Sequence, residues 1–162
     1  MRLAILILPA LLIAGGGVAA FAQSAPAVMP VASTPASDIV QGRRAAFRLS
    51  GGILGNLKAA AARGDDLTKV AGQARALAGW ARAIPGMFPT GSNVAPSEAL
   101  PNVWTDRAGF AAKAADYAAA ADKLADLAKA GDTAGFTAQV DAVGKTCGAC
   151  HTAYRAPPPK AG

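Results

Sequence analysis

Between residues 37 and 154, apolar side chains return every three or four positions, the spacing that lays one face of an α-helix on a core. Val40, Phe47, Leu54 and Leu57 mark such a face in a first helix. It is expected to open at Ser37, an N-cap type followed by acidic Asp38, and to run to about Ala62, with Gly64 as its stop. Leu67, Val70, Ala74, Leu77 and Ala81 mark a second helix, from near Asp66 to Ile84, where Pro85 ends it. Phe110, Tyr117, Leu124 and Leu127 mark a third, from near Thr105 to a stop at Gly131. Phe136, Val140, Val143, Cys147, Cys150, His151 and Tyr154 mark a fourth, opening at Asp132 or Thr133.

No stretch reads convincingly as a strand. The links between helices one and two, and between three and four, are short, so each pair is antiparallel. Residues 85–103, with Pro85, Pro89, Pro96 and Pro101, form one long irregular crossover between the pairs. The pattern predicts an all-α fold, an antiparallel four-helix bundle. Gly51-Gly52 falls inside the first helix, where glycine costs stability. The pair predicts a close approach to the backbone, by a neighbouring helix or by a flat cofactor.

The ends of the chain read differently. Arg2, the apolar run Leu3 to Ile13 and the small residues up to Ala20-Phe21-Ala22 have the layout of a secretory signal peptide, cut after Ala22. Residues 1–22 are therefore expected to be removed, 23–36 to form a flexible Pro/Ala-rich tether, 37–156 the bundle and 157–162 a disordered tail. No other segment is apolar enough to cross a bilayer, so no membrane association is expected after cleavage. A leader of this kind implies export, and the expected location is periplasmic.

Charge narrows the partners. The 162 residues carry a formal net charge of +6, which falls to +5 when Arg2 leaves with the leader. The charges are scattered, with no run of five of one sign, so no nucleic-acid binding is expected. A mildly basic surface suits acidic redox partner proteins by electrostatic steering, and serves solubility equally well. Alanine makes up about a quarter of the chain, well above ordinary usage. Ala-rich helices form readily but leave core volume unfilled, so dense packing needs the few large residues or a large ligand.

Such a ligand is indicated near the C-terminus. The chain has two cysteines and one histidine, and all three fall in Cys147-Gly148-Ala149-Cys150-His151. This is the C-x-x-C-H haem attachment sequence. On a helix, positions three and four apart share a face, so two thioethers and an axial imidazole approach the macrocycle from one side. A structural zinc site would need ligands that are absent, a thioredoxin-like pair would need a βαβ context, and a disulfide within one helical turn would be strained. The reading is haem c, one per chain, with Cys147 and Cys150 as attachment points and His151 as iron ligand. With no second histidine, a protein ligand at the sixth position would be Met29, in the tether, or Met87, in the crossover.

These features together resemble the cytochrome c' family, the class II c-type cytochromes, from about Asp38 to Arg155. Cys147 to Arg155, C-G-A-C-H-T-A-Y-R, is similar to the family's C-terminal haem segment. Arg43-Arg44-Ala45-Ala46-Phe47 resembles its first-helix segment, Ile84-Pro85 through Phe88 and then Gly91-Ser92 resembles the crossover that edges the haem, and Pro101-Asn102-Val103-Trp104 resembles the start of the third helix.

The resemblance implies an up-down-up-down bundle enclosing the haem, with Phe47 in the distal place that some relatives give to Met. An aromatic ring there implies five-coordinate iron under an apolar cover, selective for nitric oxide and carbon monoxide. It implies that Arg155, four residues after His151 and expected on the same helical face, borders the proximal side; a solvated C-terminal arginine is the alternative. Arg43 and Arg44 suit the haem propionates, although Arg44 stands where relatives usually have Gln. Phe88, Ser92 and Trp104 are expected at the pocket edge or in ordinary packing, and Gly86 replaces an aromatic of some relatives. The family also implies homodimers through the first two helices. The expected function is gas binding with electron-transfer capability and no enzymatic turnover. The alternative is a six-coordinate electron carrier with a Met distal ligand.

Overall fold

The computed structural model describes residues 34–157. The expected signal peptide, nearly all of the tether including Met29, and residues 158–162 of the tail lie outside the described residues.

Four long helices make the fold: α1 (Ala36–Arg63), α2 (Ala71–Ala83), α4 (Arg107–Ala130) and α5 (Thr133–Tyr154), with a one-turn α3 (Asn102–Thr105) before α4. Helix α1 packs on α2 and α5, and α4 packs on α2 and α5, which closes a four-membered ring. Among the described residues there is no strand, only an isolated antiparallel bridge between Ala99 and Arg155.

Helix ends follow local chemistry, with some shifts from the expected boundaries. Helix α1 opens one residue before Ser37, on Pro35, whose carbonyl accepts from the amides of Asp38 and Ile39. The Ser37 hydroxyl meets Asp38 instead of capping. Gly64 closes α1 in the left-handed conformation at φ 71°, and Gly131 closes α4 likewise at φ 70°. The second helix does not begin cleanly at Asp66. The Asp66 carboxylate accepts from the Thr68 amide and hydroxyl, the chain makes a 3-10 turn over Leu67–Val70, and only then does α2 start. Pro85 does not end the winding at Ile84; it sits at the start of a further 3-10 turn, Ile84–Met87, where its missing amide costs nothing. Thr105 ends α3 instead of opening α4. Asp106, at φ −115° and ψ 62°, breaks the helix and caps α4 through the Gly109 amide.

The interior divides into a packed part and an open part. Ala74, Ala78 and Ala81 of α2 and Ala114, Ala118, Ala121, Ala125 and Ala128 of α4 are all buried, so small residues line both helices where they meet. Leu57, Leu77, Leu124 and Phe136 are fully buried beside them. Toward the other end, a cavity of about 420 Å³ opens among the middle of α1, the first half of α4, the end of α5 and the crossover. Gly51 lies on its wall. A Cβ built at Gly51 or Gly52 would meet no other atom within 4 Å, so no neighbouring helix approaches that pair as the sequence had allowed.

Candidate cofactor site

The cavity wall is built from the last two turns of α5. Cys147, Cys150 and His151, spaced three and one apart on this helix, all line it. Both cysteines are free and half-buried, and burial pushes both thiols above their ordinary pKa. The His151 imidazole is held below its ordinary value, by desolvation first and by the positive charge of Arg155 second, with Glu98 opposing. A lowered pKa favours the neutral imidazole, the form with a lone pair for a metal. No group of three or more His, Cys, Asp or Glu among the described residues is arranged to hold a bare metal ion. Two sulfurs and one imidazole on one wall of a large, mostly apolar cavity fit a macrocycle that brings its own four nitrogens.

Helix α1 brings Arg43, Arg44, Phe47 and Arg48 to the cavity wall. Arg43 is 2% exposed, with no carboxylate among its partners. Its Nη1 donates to the Ser92 hydroxyl at 2.9 Å and its Nη2 to the Ser92 carbonyl at 3.0 Å and the Ser97 hydroxyl at 2.6 Å. The guanidinium lies 4.2 Å from the centre of the Phe88 ring. Desolvation lowers its pKa, yet a guanidinium stays charged in a protein. A buried cation beside a cavity, with no carboxylate partner among the described residues, fits an anionic group at the edge of a bound cofactor. Arg44 also lines the cavity and donates to the Pro96 carbonyl at 2.8 Å. Phe47 lies on the same wall, its ring set edge-on against Trp80 and Phe88.

Most of the residues expected at the site meet there: Arg43, Arg44, Phe47, Phe88, Cys147, Cys150, His151 and Arg155 all line the one cavity. Ser92 does not; it is buried behind the wall as the anchor of Arg43. Trp104 is off the wall too, donating its indole N–H to the Pro89 carbonyl and packing on Phe88. Met87 packs half-buried against the core and is not a lining residue.

Arg155 reaches the cavity by a route other than the expected helical face. Helix α5 ends at Tyr154, and Arg155 is extended at φ −124° and ψ 136°. The Leu100 amide donates to the Tyr154 carbonyl and the Ala156 amide to the Glu98 carbonyl, so the chain pairs with the crossover instead of continuing to wind. The Arg155 Nε then meets Glu98 Oε2 at 2.9 Å.

Other wall residues had no distinguishing signal. Phe110, Ala114 and Tyr117 recur at helical spacing on α4 and line the cavity, but core and cavity wall share that spacing. Burial, and then the nearby Cys147, pushes the Tyr117 hydroxyl up to about 12. Ser97 and Glu98 come from the crossover, where no periodicity exists to read.

Comparison with known proteins agrees with this geometry. The family described as Cytochrome C' matches residues 38–155. The chain is 37% identical over 119 residues to a cytochrome c-556 of Agrobacterium tumefaciens, covering 72% of this chain and 95% of that protein. The solved cytochrome c' of Rubrivivax gelatinosus is similar with a TM-score of 0.66 and 33% identity, over 74% of this chain and 96% of that one. The nitric oxide complex of a point mutant of cytochrome c prime from Alcaligenes xylosoxidans is similar with a TM-score of 0.70 and 26% identity, over 77% of this chain and 98% of that one.

Proposed function

This chain belongs to the cytochrome c' family, its cofactor is covalently bound haem c, and on that premise we propose that it is a periplasmic protein that binds nitric oxide and carbon monoxide at five-coordinate iron. Bound in the cavity, the haem supplies an iron that accepts one further small neutral ligand and cycles between the ferric and ferrous states.

The chain's own residues do the rest. Cys147 and Cys150 would hold the ring through thioethers, and His151, on the same wall, would ligate its iron. Arg43, buried with no carboxylate partner among the described residues, would pair with a propionate, and Arg44 stands one residue on with the same charge. Arg155, tied to Glu98, lines the same cavity as His151.

The observation that carries the reading is Phe47 on the cavity wall: its ring cannot ligate iron and carries no hydrogen-bond donor. Met87, the alternative sixth ligand, lies off the wall. A ring with no donor does not stabilise bound dioxygen, and neutral diatomic gases are favoured over it. Electron transfer is a second capability of the same iron, with small redox proteins as partners. We read the chain as a binding protein and not an enzyme. A homodimer through α1 and α2 belongs to the same reading.

Titration of the reduced holoprotein with carbon monoxide and with nitric oxide tests the reading. Saturable uptake of both, each with a shifted Soret band, is expected. A ferrous protein inert to both gases, with a sulfur-to-iron charge-transfer band when oxidised, would show a Met-ligated carrier instead.

A further inference from the structure

Phe47 is held from two sides, and the two sides are unequal. On one side its ring meets Phe88 at 6.3 Å and 60°. Phe88 is itself fixed, edge-on against Phe110 at 5.0 Å and Trp104 at 6.0 Å, with the Arg43 guanidinium over its face. That flank is braced by several contacts and cannot give way cheaply. On the other side stands Trp80 of α2, its ring centre 5.1 Å from that of Phe47 and nearly perpendicular at 84°. Trp80 is half-buried, is not a cavity-lining residue and belongs to no motif that marks the site. Its indole Nε1 is buried without a protein acceptor, so packing, and not a hydrogen bond to the chain, orients the ring.

We propose that Trp80 is a positioning residue that holds the Phe47 ring over the cavity and so sets how fast a small gas passes that side. The proposal rests on the reading of Phe47 as the cover of the iron's open side. A ligand arriving there needs the Phe47 side chain to move. Phe88 blocks movement toward the crossover, and Trp80 blocks movement toward α2. A smaller residue at position 80 opens the direction toward α2.

The test is carbon monoxide association with the ferrous holoprotein, measured by flash photolysis, together with crystal structures of the variants. In Trp80→Leu the association rate rises, by roughly two- to tenfold, the rate equivalent of losing one edge-to-face aromatic contact. Trp80→Phe, which keeps an aromatic edge and is the milder change should Trp80→Leu fold poorly, rises less. In a Phe47→Ala background neither substitution changes the rate, because the ring on which Trp80 acts is gone. Equal acceleration in both backgrounds, or no acceleration with Phe47 present, overturns the proposal. The crystal structures decide it independently of gas binding: the Phe47 ring is displaced toward position 80 in the variants, and an unmoved ring overturns the role of Trp80. A wild-type protein that takes up no carbon monoxide overturns the proposed function, and the ring position still decides the positioning.

Discussion

The Tyr154 hydroxyl donates to the Asp106 carboxylate at 2.6 Å, joining the last residue of α5 to the cap of α4. Asp106 also accepts from the Gly109 amide, and a Cβ at Gly109 would collide with both the carboxylate and the phenol. Tyr154 lies three residues after His151 and lines the same cavity, so this bond fixes the helical turn that carries the His151 imidazole.

Tyr154→Phe and Asp106→Asn each lower the melting temperature of the holoprotein. The double variant melts close to the worse single one, because both remove the same bond. Thermal unfolding followed by circular dichroism checks this; fully additive losses would show that the two side chains act separately.

The pair also sets a response to alkali. The two tyrosines of the chain, Tyr117 and Tyr154, both have hydroxyls pushed up to about 12, Tyr117 by burial and Tyr154 by its bond to Asp106. An unfolded tyrosine ionises near pH 10. The folded state therefore binds more protons than the unfolded state between about pH 10 and 12, and stability falls as pH rises through that window. Carbon-13 labelling of the tyrosine rings, read by NMR, should show no phenolate until well above pH 10 in the folded protein.

The proposed attachment residues are expected to separate cleanly. With Cys147→Ser or Cys150→Ser, one thioether is expected to remain, and haem to migrate with the chain on a denaturing gel. With both replaced, the haem stain leaves the chain. His151→Gly keeps covalent haem and loses the axial nitrogen, seen as a changed ferric spectrum. Loss of covalent haem from either single cysteine variant would contradict independent attachment.

Core packing away from the cavity has its own signature. Phe136 is fully buried, and Phe136→Ala is expected to cost about 3–5 kcal/mol in denaturant unfolding. The gas-binding spectrum of the folded fraction stays unchanged, since Phe136 is not a lining residue.

The four long helices were legible because the period of Val40, Leu57, Leu77, Leu124 and Phe136 is repeated and because Gly64 and Gly131 are strong stops. The C-x-x-C-H segment was legible because three rare residues fall at one helical spacing. Arg155 sits where pairing with the crossover, at Ala99, replaces helix continuation, and such pairing leaves no periodic trace. The place of Ser92 behind Arg43 depends on a loop path that spacing cannot give. Trp80 carries no signal in the sequence, since its partner Phe47 is 33 positions away on another helix.

Gas binding as proposed requires an open iron position beneath Phe47. Resonance Raman spectroscopy of the ferrous holoprotein with no added ligand reads that position through the marker bands of spin and coordination. Five-coordinate, high-spin iron is expected. A six-coordinate, low-spin ferrous spectrum would overturn the reading, and would mean that a side chain of the protein already occupies the site.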